Sequence, residues 1–221
     1  MNITMAIDIQ DEYSEQIERN GAIVFVGSNN RTQFNEMGQE HFDYLIHKKL
    51  KPHHVFLDVG CGALRTGQYI IPYLNNKNYY GLDRMPELIE YGLNDVLPQE
   101  TVFEKEPKFS VNDKFNFDFV DKPVDVAWCQ SLMSHLCKED IQTCLLNVKN
   151  KMKPGGVIFF TYFRKDGMEQ MESDAQKTHS KKDLYYSEQY MNQIVRSCNL
   201  ETVYNGNIGH PRGQWMYICK V

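Results

Sequence analysis

Residues 55–67 constrain the fold of this chain more than any other stretch. The apolar run Val55-Phe56-Leu57 leads through Asp58 and Val59 into Gly60-Cys61-Gly62, and Ala63-Leu64-Arg65-Thr66-Gly67 follows. An apolar strand that passes an acid, enters a glycine turn and opens a helix is a corner where backbone can approach a nucleotide closely. A dinucleotide fingerprint would read G-x-G-x-x-G, its third glycine allowing tight helix–strand packing, with the pyrophosphate on the helix N-terminus. Gly60 and Gly62 fit that pattern, but Arg65 stands third. A carboxylate at the strand tip also repels phosphate. Asp58 therefore suits a cationic ligand.

Strands and helices alternate beyond this corner. The apolar patterns predict strands at 55–58, 79–82, 109–111, 124–129 and 157–162, with helices over 64–74, 86–93 and 138–151. Such alternation specifies a parallel sheet covered on both faces, with ligands at the carboxyl ends of its strands. Upstream, the sequence predicts a short helix or coil over 8–19 and an extended segment over 22–27. Phe34, Met37, His41, Tyr44 and Leu45 recur at helical intervals and predict an amphipathic helix over 33–50, ended by Lys51-Pro52. The charged stretch between Phe163 and Tyr186 carries no apolar period. A loop of that length in a compact domain is usually functional, for instance a lid, or disordered. Ser187 can cap a helix whose stripe is Tyr190, Met191, Ile194 and Val195. Val203-Tyr204 and residues 215–221 read as a closing pair of strands.

At 221 residues and 42% hydrophobic content, the chain is sized for one α/β domain. The division expected is an N-terminal helical segment over 1–52 that could cover the site, and a core over 53–221. A net charge of −5 argues against nucleic acid as partner. The six cysteines show no C-x-x-C spacing and read as reduced, buried thiols, with no metal site. No cationic start followed by an apolar block suggests a secretion signal, and no apolar run approaches the ~20 residues of a membrane span. The expected setting is cytoplasmic.

Four segments in order carry a family resemblance: residues 55–67, Tyr79-Tyr80-Gly81-Leu82-Asp83, residues 124–131 and Met152-Lys153-Pro154-Gly155-Gly156-Val157. Together they resemble the class I S-adenosylmethionine-dependent methyltransferases. The resemblance implies a Rossmann-like α/β fold: a seven-stranded, mostly parallel sheet with an antiparallel last strand and helices on both faces. It implies S-adenosyl-L-methionine as cofactor and S-adenosyl-L-homocysteine as product. By this likeness Gly60, Cys61 and Gly62 pack against the methionine moiety, Asp58 reaches its ammonium, and Arg65 and Thr66 stand at the same corner, Arg65 toward the carboxylate. Asp83 follows Gly62 by about 20 positions, the spacing of a ribose-binding acid, and Arg84 stands beside the adenine. Asn112 and Asp113 occupy the adenine-contacting loop, and Gln130 and Ser131 lie between cofactor and acceptor.

Methyl transfer from a sulfonium is an in-line displacement, so the protein chiefly aligns the nucleophile and excludes water. A base is needed when the acceptor is a poorly acidic group such as an alcohol. His135, after the fourth strand, is the candidate base; a histidine packing on the next helix is the alternative. His210 and Arg212, in His210-Pro211-Arg212-Gly213, and Tyr186 are candidate acceptor-binding residues. The pattern looks like a bacterial small-molecule subgroup, some of it tied to surface polysaccharide biosynthesis. The expectation is O-methylation of a sugar- or phosphate-bearing small molecule. No (Asp/Asn)-Pro-Pro-(Tyr/Phe) segment follows the fourth strand, which argues against nucleic-acid amino groups. A nicotinamide-dependent oxidoreductase and a non-catalytic S-adenosylmethionine-binding module are the alternatives.

Overall fold

A computed structural model describes residues 4–165 and 183–221, with side chains from Glu12 onward. The expected lid falls largely on residues outside that description. The chain forms two compact units, one running to Asp113 and the other spanning Lys114–Val221.

The first unit contains α1 (Thr4–Asn20), α2 (Ala22–Phe25), α3 (Arg31–His47), β1 (Phe56–Val59), α4 (Gly67–Tyr73), β2 (Tyr79–Asp83), α5 (Pro86–Tyr91), α6 (Gln99–Lys105) and β3 (Lys108–Val111). Its strands run parallel in the order β3-β2-β1, with Asp58 opposite Gly81 and Leu82 opposite Ser110. β1 and β2 are buried along their whole length, as strands covered on both faces must be. Helix α3 buries Phe34, Met37, Gly38, His41 and Leu45, so the predicted stripe is its inner face. The Asn30 side chain caps it by accepting from the Gln33 amide at 2.9 Å. Gly38 is required there, because a Cβ would collide with the Arg65 carbonyl.

Residues 22–25 are helical and not extended. The run Ala22–Val26 is too short for its period to discriminate helix from strand, and packing decides. Ala22 joins Ile17, Phe34, Ala63, Met85 and Leu88 in one buried cluster, with Phe25 and Val26 against its edge. Helix α5 continues into a π-helical turn over Gly92–Val96. Gly92 lies where a Cβ would stand 2.5 Å from Leu64 Cγ, so only glycine lets this turn close on the post-turn segment.

The second unit contains β4 (Val124–Cys129), α7 (Lys138–Lys151), β5 (Met152–Arg164), β6 (Tyr185–Tyr186), α8 (Glu188–Ser197), β7 (Glu201–Asn207) and β8 (Gln214–Lys220). β4 and β5 are parallel, β8 runs antiparallel to β5, β7 runs antiparallel to β8, and the short β6 pairs in parallel with β5. Alternating elements, a mostly parallel set of strands and an antiparallel β8 make this the mixed α/β fold expected, except that the two-residue β6 brings the described strands to eight where seven were expected. β5 begins five residues earlier than the apolar pattern suggests. Pro154-Gly155-Gly156 forms a register shift inside the strand pairing, between Val124 and Val126 of β4. α7 buries Ile141, Cys144, Leu145 and Val148, and Ser187 caps α8 by accepting from the Tyr190 amide at 3.2 Å. Among the described residues no helix is long and apolar enough to cross a membrane.

Candidate active site

The glycine turn is fastened to the end of β2 by three successive amides. Gly60 and Cys61 N–H donate to the Leu82 carbonyl at 2.7 and 3.0 Å, and Gly62 N–H donates to Asp83 Oδ2 at 2.8 Å. Gly60 and Gly62 have φ of 76° and 52°, the left-handed region that glycine enters without strain. Asp83 Oδ1 accepts from Met85 N–H at 2.9 Å. Burial raises the Asp83 pKa, while the amides of Met85, Gly62 and Arg84 pull it down. Those three amides occupy most of the carboxylate's about four acceptor sites and leave about one for a ligand hydroxyl.

Asp58, on β1, is fully buried. Its Oδ2 accepts from the Tyr79 hydroxyl at 2.7 Å. Burial pushes its pKa up to about 7, against the Tyr79 hydrogen bond; Asp83 adds repulsion and Arg65 relieves some of it. Two buried acids at one glycine turn form an electronegative corner, and Cys61 between them is held firmly as a thiol by burial and by both carboxylates. Such a corner accepts a cation with hydroxyls to hydrogen-bond and repels phosphate.

Arg65, expected at a ligand carboxylate, holds the N-terminal segment: its Nη1 donates to Val26 O at 3.0 Å and Ser28 Oγ at 3.4 Å. Thr66 is buried, with its hydroxyl 3.0 Å from His41 Nδ1, and so links α3 to the start of α4. The Arg84 guanidinium lies over the Tyr13 ring at 4.6 Å and is partly desolvated, which lowers its pKa. Asp113 is among the charges acting on Arg84. Asn112 donates its backbone N–H to Asp83 O at 3.2 Å and its side-chain amide to Ser110 Oγ at 3.0 Å. Asp58, Cys61, Gly62, Asp83 and Asn112 thus meet at the glycine turn, whereas Arg65 and Thr66 are engaged with the N-terminal segment and α3.

The remaining candidates gather in the second unit. Ser131 follows β4 with φ of 55°, unusual for a residue with a side chain. A polar network fixes it: Ser131 N–H donates to Thr161 Oγ1 at 2.7 Å, while Ser131 Oγ and Thr161 Oγ1 both donate to Gln214 Oε1. The Gln130 side chain meets His210 Nε2 at 2.8 Å, and His210 Nδ1 accepts from Arg212 N–H at 3.2 Å. His135 Nδ1 lies 3.9 Å from Asp183 Oδ1, and Arg212 Nη2 lies 3.3 Å from both Asp183 oxygens. Burial lowers the His135 pKa, Asp183 raises it and Arg212 lowers it. Tyr186, expected at the acceptor, is buried with its hydroxyl donating to Leu136 O at 2.6 Å, the contact of a packing residue.

Tyr79, Thr161, Asp183 and Gln214 are the members of these clusters that sequence reading passes over. Tyr79 and Thr161 sit inside apolar strand patterns, Gln214 stands just before the predicted strand 215–221, and Asp183 ends a charged run; none carries a local signal of its partner.

A family model described as a methyltransferase domain matches residues 57–158. Among solved structures, the chain resembles magnesium protoporphyrin IX methyltransferase from Synechocystis PCC 6803 with bound S-adenosylhomocysteine, at 14% identity and TM-score 0.67 over 98% of each chain. It also resembles an S-adenosylmethionine-dependent methyltransferase from Clostridium acetobutylicum, at 12% identity and TM-score 0.63, over 95% of this chain and 98% of that one. The [4+2]-cyclase SpnF shares the fold at 12% identity and TM-score 0.63, over 81% of this chain and 79% of that one.

Proposed function

We propose that this chain, whose residues 57–158 match a methyltransferase-domain model and whose fold is that of S-adenosylmethionine-dependent methyltransferases, is a class I member of that family and transfers a methyl group from S-adenosyl-L-methionine to an oxygen of a small molecule. The observation that carries the ligand class is the state of the turn. The amides of Gly60, Cys61 and Gly62 already donate to Leu82 and Asp83, so they do not await an anion, and the Asp58 and Asp83 carboxylates flank them. A pyrophosphate has poor reason to bind there; an ammonium and a ribose diol have good reason. S-adenosylmethionine supplies the electrophilic methyl on its sulfonium when bound. Asp58 would pair with the amino-acid ammonium, the remaining acceptor site of Asp83 would receive a ribose hydroxyl, and Asn112 and Arg84 would border the base.

His135 is the proposed base for the acceptor hydroxyl. Its lowered pKa keeps it neutral and able to take a proton near neutrality. His210 and Arg212 are the proposed contacts for an acceptor bearing a sugar or phosphate, in keeping with a step in surface polysaccharide assembly. The net charge of −5 supports a small-molecule acceptor over nucleic acid, in a cytoplasmic setting.

Fold alone does not fix chemistry, as the cyclase among the neighbours illustrates. The test therefore has two parts. Calorimetric titration with S-adenosylhomocysteine and with NAD should show binding of the first; preferential binding of NAD would overturn the ligand reading. Methyl-labelled cofactor offered with a panel of sugars, sugar phosphates and phenols should yield labelled product. Tight cofactor binding with no transfer to any member would favour a non-catalytic module.

A further inference from the structure

We propose that Asp183 is a positioning residue for His135, selecting the imidazole tautomer protonated on Nδ1 and leaving Nε2 as the basic nitrogen. The inference rests on reading His135 as the base.

The return segment Asp183–Tyr186 is stitched to both neighbours of His135. Leu184 N–H donates to Ser134 O at 2.7 Å, and the Tyr186 hydroxyl donates to Leu136 O at 2.6 Å. Leu184 and Tyr186 are both buried, as is Ser134, so this register is held by packing as well as by hydrogen bonds. With the backbones fixed on either side, Asp183 stands against the Nδ1 edge of the His135 ring, 3.9 Å away. That distance is ion-pair reach, about 1 Å longer than a formed hydrogen bond. Catalytic pairs commonly stand this loose before ligands bind.

The carboxylate is itself oriented. Arg212 brings Nη2 to 3.3 Å from both Asp183 oxygens, and its guanidinium packs over the Phe163 ring at 5.4 Å. The turn carrying Arg212 is closed by Gly213 N–H to His210 O at 2.8 Å and by Arg212 N–H to His210 Nδ1. Asp183 is therefore held between a histidine edge and an arginine fork. A carboxylate facing one ring nitrogen favours the proton on that nitrogen and exposes the lone pair on the other. Arg212 offsets part of the acid's charge, so the pair orients the ring without making it a strong base. In this reading Arg212 acts on the acid as well as on the acceptor.

The test is long-range 1H–15N correlation spectroscopy of the imidazoles in uniformly 15N-labelled full-length protein, titrated between about pH 5 and 8. His135 is assigned from the signal lost in His135→Gln. The wild-type neutral ring should carry its proton on Nδ1. In Asp183→Asn the Nε2–H form should appear, and the His135 pKa should fall by about one pH unit, the scale of a lost neighbouring charge. Asp183→Glu should restore the wild-type tautomer. Arg212→Gln, which removes the opposing cation, should move the pKa upward and serves as the informative variant if Asp183→Asn does not fold. A wild-type ring protonated on Nε2, or a ring whose tautomer and pKa ignore these changes, overturns the proposal. Full methyl transfer by His135→Gln would instead remove the base reading and leave the tautomer result standing.

Discussion

Replacing Tyr79 by Phe removes a single hydroxyl from the buried carboxyl of Asp58, and its consequences can be worked out with their signs. Asp58 has its pKa at about 7 in the fold against an ordinary 3.8. Its contribution to stability is complete below about pH 4 and is lost as pH rises through 7, because the unfolded chain ionises first. The interval corresponds to about 4 kcal/mol at about 1.36 kcal/mol per pH unit. A cation that pairs with the ionised form recovers part of this. Cofactor binding should therefore release a proton below pH 7, and affinity should rise up to about tenfold per pH unit there and level off above.

The Tyr79 hydroxyl donates to Asp58 at 2.7 Å and lowers its pKa. A hydrogen bond to a charged acceptor contributes about 1.5–3 kcal/mol, so Tyr79→Phe should raise the ionisation by about one to two pH units. The ring itself stays packed, stacked on Phe56 with centroids 6.0 Å apart. At pH 7 the variant should bind S-adenosylhomocysteine about tenfold more weakly and regain most of that affinity by about pH 9. Calorimetry at several pH values, in buffers of different ionisation enthalpy, reads both affinity and proton release. Equal affinity at pH 6 and 8, no proton exchanged, and a variant indistinguishable from wild type would refute the reasoning.

Two other substitutions separate ligand contacts from scaffold contacts. Asp83→Asn keeps the shape but sets an amide donor against either Gly62 N–H or Met85 N–H; it should lower stability by about 1–3 kcal/mol in denaturant melts and weaken S-adenosylhomocysteine in calorimetry as well. Tyr186→Phe should cost about 1–2 kcal/mol of stability through the lost bond to Leu136 O, while cofactor affinity stays within about twofold of wild type.

The electronegative corner at the glycine turn was legible because its requirements are local. Gly60 and Gly62 announce positive φ, and Asp58 and Asp83 stand at the ends of recognisable apolar strands. Strand β4 and helix α7 fall on the residues their apolar patterns predict. Helix α6 was not legible because it buries no residue and leaves Phe103 on the surface, so it has no stripe to read. Helix α2 was misread because five apolar residues fit either period. The second unit's cluster was legible only as separate candidates. His135, Asp183 and Arg212 are far apart in sequence, and their meeting depends on the Leu184–Ser134 bond and the β7–β8 turn, which no local pattern encodes.

The six cysteines are all buried free thiols. They are spread along the chain: Cys61 in the glycine turn, Cys129 at the end of β4, Cys137 and Cys144 both at α7, Cys198 after α8 and Cys219 in β8. Because thiolate is the reactive form and burial raises the pKa of Cys61, Cys198 and Cys219, alkylation of these three must wait for an opening event. The chain thus carries built-in clocks for local unfolding. Where reclosing outpaces alkylation, the rate at Cys61 reports the fraction of molecules in which the glycine turn is open, and the rate at Cys219 the fraction in which β8 has left the sheet.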